Sequence, residues 1–294
     1  MQPDFATFHR VHIQYCDGGS FAGDHRLRTA EGTLHFRGRR ILRATIERLR
    51  SFGLGATPGT EVLLTGCSAG GLGVYLNADF IRGLLPPTVS KFKAMAGSGF
   101  MLDHPNADGV DVIGQQMAAV YHMQRLESAS SPACLSEQVS AQERWRCILA
   151  EQAARFIESD LFILDSSIDE WQLLCTLTAQ PAGNATLYMD RCGALWPCLS
   201  SGWGSPLAGC SATQLRAVQA YGSAFVARIR ATATMEKPRN GGFISSCHTH
   251  VRRARGPNLH AGTHPARVTP HVSAQAALLG RPSSLPVSPL RSRQ

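Results

Sequence analysis

The stretch VLLTGCSAGGL, residues 62–72, decides how this chain of 294 residues folds. Residues 62–65 form a short apolar run typical of a buried strand, and apolar residues recur at helical spacing from Leu72 until Pro86. Between the two lies GCSAG, residues 66–70, a G-x-S-x-G sequence at a strand-to-helix junction. In that context the serine occupies a tight turn that lifts its hydroxyl clear of the sheet.

Ser68 is therefore the candidate nucleophile. Glycines on both sides of it let the strand and the helix pass each other without Cβ clashes. The N–H of Ala69 is the candidate oxyanion-hole donor, because it lies at the helix N-terminus next to the serine. The alternative is a glycine-rich turn that only packs a helix on a strand. The strand and helix patterns on its two sides favour the catalytic interpretation.

A serine nucleophile needs a base and an orienting acid, which follow in the order Ser, Asp or Glu, His in α/β-hydrolases. Asp169 lies five residues after a predicted strand at 161–164, and His250 lies five residues after a predicted strand at 242–245. Both are placed as that order requires. Three neighbours compete for the two roles, namely Asp165, Glu170 and His248.

The cluster of Cys247, His248 and His250 also suggests a metal site. Structural and catalytic zinc sites need further ligands at recognisable spacing, and none accompanies these three. We therefore expect neither a metal nor an organic cofactor.

The remaining pattern alternates short apolar strands with longer amphipathic helices. The alternation in residues 11–15 predicts a strand edge, residues 92–96 predict another strand, and Ser211 is placed to cap a helix. Further helices are predicted over residues 41–49, 112–126 and 142–157. This order predicts an α/β fold whose mostly parallel sheet carries helices on both faces.

Composition sets the outer limits. Hydrophobic residues make up 44% of the chain, which excludes disorder throughout, and no apolar run approaches the ~20 residues that cross a bilayer. The N-terminal residues lack the basic-then-apolar form of a signal peptide.

The net charge of +8 is concentrated at one end. Residues 251–294 hold seven arginines and no acidic residue, so residues 1–250 carry only +1. We expect one folded domain over 1–250 and a disordered basic, Pro/Arg-rich tail over 251–294. Such a tail could touch phosphates, but no aromatic stacking pattern accompanies it, and we expect no specific nucleic-acid partner.

The nine cysteines favour an oxidising compartment, where most of them would pair. The spacings Cys134–Cys147 and Cys192–Cys198 suit short loops, and the odd count leaves at least one cysteine out. No C-x-x-C pair is present, which weighs against zinc-ribbon and thioredoxin-type sites. The pairing stays open at this point.

Five segments together carry a family resemblance. They are RVHIQYCDGGSFAGD at 10–24, preceded by PDF at 3–5; FRG at 36–38; LTGCSAGGL at 64–72; LFIL at 161–164 with DEWQ at 169–172; and FISSCHTH at 243–250. In order and in combination they resemble the pectin acetylesterase family, to which the Notum-type carboxylesterases also belong. The resemblance implies an α/β-hydrolase-like fold, with Asp169 as the catalytic acid and His250, not His248, as the base.

Three departures from the family pattern stand out. The family's upstream strand with its "GGGWC" loop, which donates to the oxyanion hole, has no counterpart in this sequence. Gly97 stands where relatives usually carry Asp, and residues 251–294 do not resemble the family's tryptophan-bearing C-terminal region. We therefore expect a truncated member whose sheet lacks the first strands.

The resemblance implies a secreted or cell-wall serine esterase that removes O-acetyl groups from pectin through an acetyl-enzyme intermediate. It implies an acetylated polysaccharide as partner, and we expect a monomer without a membrane span. Two alternatives stay open: a lipid-type O-deacylase of the Notum kind, and a catalytically impaired carbohydrate-binding relative.

Overall fold

The computed structural model describes residue 5 and residues 7–138, 140–180, 192–199 and 207–251. The expectations about residues 3–4 and about the tail beyond residue 251 lie outside the described residues.

A four-stranded parallel sheet forms the centre of the fold. Its strands are β3 (Thr60–Cys67), β4 (Val89–Gly97), β5 (Asp160–Ser166) and β6 (Gly241–Ser245), and they lie side by side in sequence order. Every neighbouring pair is parallel. All four strands match strands predicted from apolar runs, which confirms the α/β fold with a parallel sheet. A separate antiparallel hairpin of β1 (His25–Thr29) and β2 (Gly32–Phe36) precedes the sheet.

Helices connect the strands and surround the sheet. The described α-helices are α1 (Gly38–Ser51), α2 (Ala69–Leu84), α3 (Val112–Gln124), α4 (Pro132–Glu137), α5 (Ala150–Phe156), α6 (Glu170–Gln172) and α7 (Ala212–Ala231). Short 3₁₀ segments lie at Leu126–Ala129, Ala141–Ile148, Pro197–Leu199, Leu207–Gly209 and Ala233–Glu236, and α6 continues into a π-helical turn at Leu173–Leu177. Among the described residues, no helix is long and apolar enough to cross a bilayer.

The predicted helices at 41–49 and 112–126, the one beginning at Leu72 and the one capped by Ser211 correspond to α1, α3, α2 and α7. The single helix predicted over 142–157 is wrong. Residues 141–148 form a 3₁₀ segment instead, and α5 starts only at Ala150. The break falls at Leu149, whose extended backbone (φ −66°, ψ 136°) separates the two segments.

The strand predicted at residues 11–15 is also wrong. The segment is irregular, although Ile13 is buried while its neighbours His12 and Gln14 are exposed. The alternation in the sequence therefore reflects burial of one side of this segment and does not indicate pairing in a sheet. The hairpin β1–β2 was missed because its turn residues, Ala30 and Glu31, lack the Asn-Gly or Gly-X signal of two-residue turns.

The helix α2 packs directly on the sheet, and α1 and α5 pack on α2. On the sheet, Val62 and Leu64 of β3 are buried together with Ile163 of β5. The side chains of Phe162 and Phe243 lie on one face of the sheet and are 41% and 51% exposed. Within the described part of the chain, this face is thus only partly covered.

Three disulfides fix the segments between β4 and α7. They join Cys134 to Cys147, Cys175 to Cys192, and Cys198 to Cys210. The short loop expected between Cys134 and Cys147 is present, but the one expected between Cys192 and Cys198 is wrong, since each of these two has another partner. Cys16, Cys67 and Cys247 keep their thiols.

A capping box starts α7. The Gln214 N–H donates to Ser211 Oγ at 3.3 Å, and the Ser211 N–H donates to Gln214 Oε1 at 2.8 Å. Replacing Ser211 with Ala removes one acceptor, and we expect the free energy of unfolding to fall by about 1 kcal/mol in a urea titration. Ser211→Asp keeps an acceptor oxygen and should unfold close to the wild type. An equal loss in both variants would contradict a role for the cap.

Candidate active site

The turn at Ser68 is strained and held by backbone contacts. Ser68 lies between the end of β3 and the start of α2 with φ 58° and ψ −124°, a conformation that costs a non-glycine residue about 1–3 kcal/mol. Its N–H donates to the carbonyl of Gly97 at 2.9 Å, and its own carbonyl accepts from Leu72 N–H at 3.0 Å. A Cβ on Gly66 would lie 2.1 Å from the carbonyl oxygen of Gly70, so only glycine permits this turn.

The imidazole of His250 bridges the serine and a carboxylate. Its Nε2 lies 2.8 Å from Ser68 Oγ, and its Nδ1 lies 2.7 Å from Asp169 Oδ2, across 182 residues of sequence. The side chain of His250 is 9% exposed and that of Asp169 is fully buried. An ionised carboxylate only accepts hydrogen bonds, so Nδ1 carries the proton and Nε2 is left as the acceptor for the serine hydroxyl.

Asp169 is positioned by the helix that follows it. It is the N-cap of α6, and its Oδ1 accepts from the Gln172 N–H at 3.0 Å while Oδ2 faces His250. Both carboxylate oxygens are thus occupied, as a buried charge requires. The ring of Trp171 lies 6.2 Å from the imidazole of His250, between ring centroids, and is tilted by 33° to it.

Gln172 is a supporting residue that the sequence reasoning missed. Its buried Oε1 accepts from Leu102 N–H at 2.9 Å and from the Tyr221 hydroxyl at 3.1 Å. These bonds tie α6 to the segment after β4 and to α7. The DEWQ motif contained the residue, but its partners are distant in sequence and only the fold reveals them.

Two serines hold the loop that carries His250. Ser166 Oγ donates to the carbonyl of Cys247 at 2.5 Å, and Ser98 Oγ accepts from Val251 N–H at 3.1 Å. The loop is therefore fixed on both sides of the imidazole. Ser98 follows Gly97, the position that departs from the family pattern, and the carbonyl of Gly97 serves the Ser68 turn.

The competing residues take other positions. Asp165 accepts hydrogen bonds from the N–H groups of Phe100, at 3.1 Å, and Ser166, at 2.9 Å, so its carboxylate binds main-chain groups. Burial, and then the nearby charge of Asp169, raise the pKa of Asp165 well above its ordinary value. Glu170 is buried at the start of α6, and the buried Nε2 of His248 has no hydrogen-bond partner among the described residues.

The candidate oxyanion donor is the N–H of Ala69. Ala69 is the first residue of α2, so its N–H has no acceptor within the helix and lies at the positive end of the helix dipole. Among the described residues, no group of three or more His, Cys, Asp or Glu side chains is arranged to hold a metal ion. The chemistry available here is attack by a hydroxyl that an imidazole deprotonates.

Comparisons with known proteins agree on one family. A model of the pectinacetylesterase family matches residues 1–274, so the match continues past His250. Pectin acetylesterase 11 of Arabidopsis thaliana is 30% identical over 254 residues, which cover 85% of this chain and 59% of that protein. Pectin acetylesterase 5 of the same plant is 28% identical over 265 residues, which cover 90% of this chain and 57% of that protein. The chain thus spans less than two thirds of the length of these relatives.

The Notum proteins form a second group of relatives. The palmitoleoyl-protein carboxylesterase NOTUM of Drosophila melanogaster is 30% identical over 177 residues, which cover 58% of this chain and 26% of that protein. A crystal structure of the Wnt deacylase Notum from Drosophila superposes with a TM-score of 0.61 at 23% identity, covering 81% of this chain and 59% of that one. This likeness confirms the α/β-hydrolase-like fold.

The raised pKa of Asp165 gives a pH-dependent prediction. A carboxyl whose pKa is higher in the folded than in the unfolded state contributes stability below its unfolded value of 3.8, and that contribution is lost as pH rises through the folded value. The amide of Asp165→Asn cannot ionise, so this variant does not lose that stability as the pH rises. We therefore expect the free energy of unfolding of Asp165→Asn, relative to wild type, to increase from pH 5 to pH 8 in urea titrations. A difference that stays constant or decreases over this range would contradict the burial of an ionisable group here.

Proposed function

The chain belongs to the pectinacetylesterase family, and from this premise we propose that the protein is a serine carboxylic-ester hydrolase that removes O-acetyl groups from pectin. The observation that carries the proposal is the hydrogen-bonded chain from Asp169 through His250 to Ser68. This arrangement activates a hydroxyl that is otherwise a weak nucleophile.

The reaction proceeds in two halves. Ser68 Oγ attacks the acetyl carbonyl, and His250 Nε2 takes the hydroxyl proton and returns it to the sugar oxygen as the alcohol leaves. Asp169 holds the tautomer of the imidazole and stabilises the imidazolium. The N–H of Ala69 donates to the oxyanion. Water then attacks the acetyl-enzyme with the same base, and acetate is released.

The expected location is outside the cell, in the wall that contains the substrate. The three disulfides support this, because disulfides persist in oxidising compartments and are rare in the cytosol. The similarity to plant pectin acetylesterases points the same way.

The similarity to Notum proteins favours a second candidate, a lipid-type O-deacylase. A series of p-nitrophenyl esters from acetate to octanoate separates the two. For an acetylesterase, kcat/KM should fall by tenfold or more from acetate to hexanoate, because the acyl pocket must accommodate each added methylene. A rate that rises with chain length would favour the deacylase.

Ser68→Ala should abolish hydrolysis of p-nitrophenyl acetate and of acetylated pectin. Labelling by a fluorophosphonate should be fast in the wild type and absent in this variant, because only an activated serine reacts quickly. Ser90→Ala, which changes an exposed serine of β4, is the matched control and should behave as wild type. An unlabelled wild-type chain would favour the third candidate, an impaired carbohydrate-binding relative.

Asp169→Asn tests the orienting acid. The amide keeps the size of the side chain but cannot stabilise the imidazolium, so we expect kcat to fall by about 10³–10⁴-fold. Asp165→Asn, four residues away and bonded only to the backbone, is the control and should retain activity within about tenfold. A larger loss of kcat in Asp165→Asn than in Asp169→Asn would assign the orienting role to Asp165 instead.

A further inference from the structure

The positive charge of the described fold is concentrated in one segment. Residues 24–50 contain eight arginines and three acidic residues, whereas residues 1–250 as a whole carry only +1. The remainder of residues 1–250 is therefore net acidic. A local excess of arginines on an otherwise acidic domain indicates a surface that meets an anion.

The outer side of the hairpin β1–β2 is basic. Arg26 and Arg28 are two residues apart and both exposed, so they lie on the same face of the hairpin. Their cross-strand partners are His35 and Thr33, which are exposed too. Leu27 and its partner Leu34 lie on the other face.

Arg37, the residue before α1, continues this surface, because its Nη2 lies 3.3 Å from His35 Nδ1. Arg40 and Arg43 of α1 are exposed and three residues apart, so their side chains are neighbours on the exposed part of the helix. The guanidinium of Arg43 lies 5.3 Å from the ring of Phe80.

One carboxylate, that of Asp24, pairs with two arginines of this surface and offsets only part of their charge. Asp24 is shared by two arginines, Arg37 at 3.2 Å and Arg40 at 2.7 Å. Arg39 is different, because it is anchored to Asn77 Oδ1 and Ser128 O, at 2.8 Å each, and fixes α1 on the fold. Its burial lowers its pKa to about 10. The helix that carries Arg40 and Arg43 is thus attached to α2 and to the segment at Ser128.

The segment that leads into the hairpin lies beside α2, the helix that follows Ser68. The carbonyl of Ser20 accepts from Asn77 Nδ2 at 3.1 Å and would lie 3.0 Å from a Cβ on Gly73. Gly73 is five residues after Ser68 along α2, about 7.5 Å of helix rise. The segment leading into the hairpin thus packs against the turns of α2 that follow Ser68.

We propose that Arg26, Arg28, Arg37, Arg40 and Arg43, here called the basic face, bind the carboxylates of uronate residues in the polysaccharide whose acetyl esters the site cleaves. The proposal rests on the proposed function and names the part of the substrate that is recognised outside the reacting ester. Guanidinium groups match carboxylates with paired hydrogen bonds, and a uronate polymer repeats one carboxylate per sugar. Nucleic acid fits less well, because the outer face of the hairpin carries no Phe, Tyr or Trp ring on which bases could stack.

A binding experiment tests this without depending on catalysis. The full chain with Ser68→Ala is titrated with polygalacturonate oligomers, with neutral xylan oligomers of equal length, and with single-stranded DNA. Adding Arg26→Gln, Arg28→Gln and Arg43→Gln should weaken polygalacturonate binding about tenfold, since each exposed charge pair contributes a factor of about two. Binding to xylan should stay unchanged, and the loss should shrink at high salt.

A matched control removes the same charge elsewhere. Arg82, Lys93 and Arg239 are exposed cations around a concave surface at the other end of the strands, and replacing all three with Gln should leave polygalacturonate binding within about twofold of the parent. Equal losses in the two triple variants, no loss in either, or tighter binding of DNA than of polygalacturonate would overturn the proposal.

The same three substitutions, made in the chain that keeps Ser68, distinguish this proposal from the proposed esterase function. If KM for acetylated polygalacturonate rises while kcat/KM for p-nitrophenyl acetate is unchanged, the basic face recognises the polymer. If the wild type hydrolyses neither ester, the proposed function fails, and the binding titration still decides the basic face.

Discussion

Direct contact between backbones, with no side chains between them, is the constraint on which the rest of the site depends. A Cβ on Gly71 would lie 2.4 Å from the carbonyl oxygen of Gly97, and one on Gly99 would lie 2.4 Å from the carbonyl carbon of Gly71. The start of α2 is thereby pressed against the end of β4. This contact lets Gly97 accept the Ser68 N–H and holds the serine in its strained conformation. The position of the proposed nucleophile is thus set by the main chain.

The other two members of the hydrogen-bonded chain are positioned by buried polar groups. Asp169 is held by the first turn of α6, and α6 is held through Gln172 by the backbone after β4 and by α7. His250 is held through its loop, by Ser166 on one side and Ser98 on the other. Each support comes from a different element, so the geometry at the imidazole depends on the assembled sheet.

The sequence predicted what is local. The four strands and the turn at Ser68 depend on runs of a few residues, and the proposed order of acid and base rests on loops that follow strands. The alternation around Ile13 misled because burial of every second residue occurs in irregular segments as well as in sheets. The partners of Gln172 and of Cys192 could not be predicted, since both are brought together by folding over distances that no short motif encodes.

His250, the proposed base, follows a strand at the edge of the described sheet. In the described structure β6 is an edge strand of five residues with no fully buried side chain, and His250 follows it after five more residues. Edge strands with few buried contacts open at lower free energy than the core does. Detachment of β6 would withdraw the imidazole while β3, α2 and the serine turn stayed folded. If His250 has the proposed role, inactivation and global unfolding are separable events, and the first requires only a local opening.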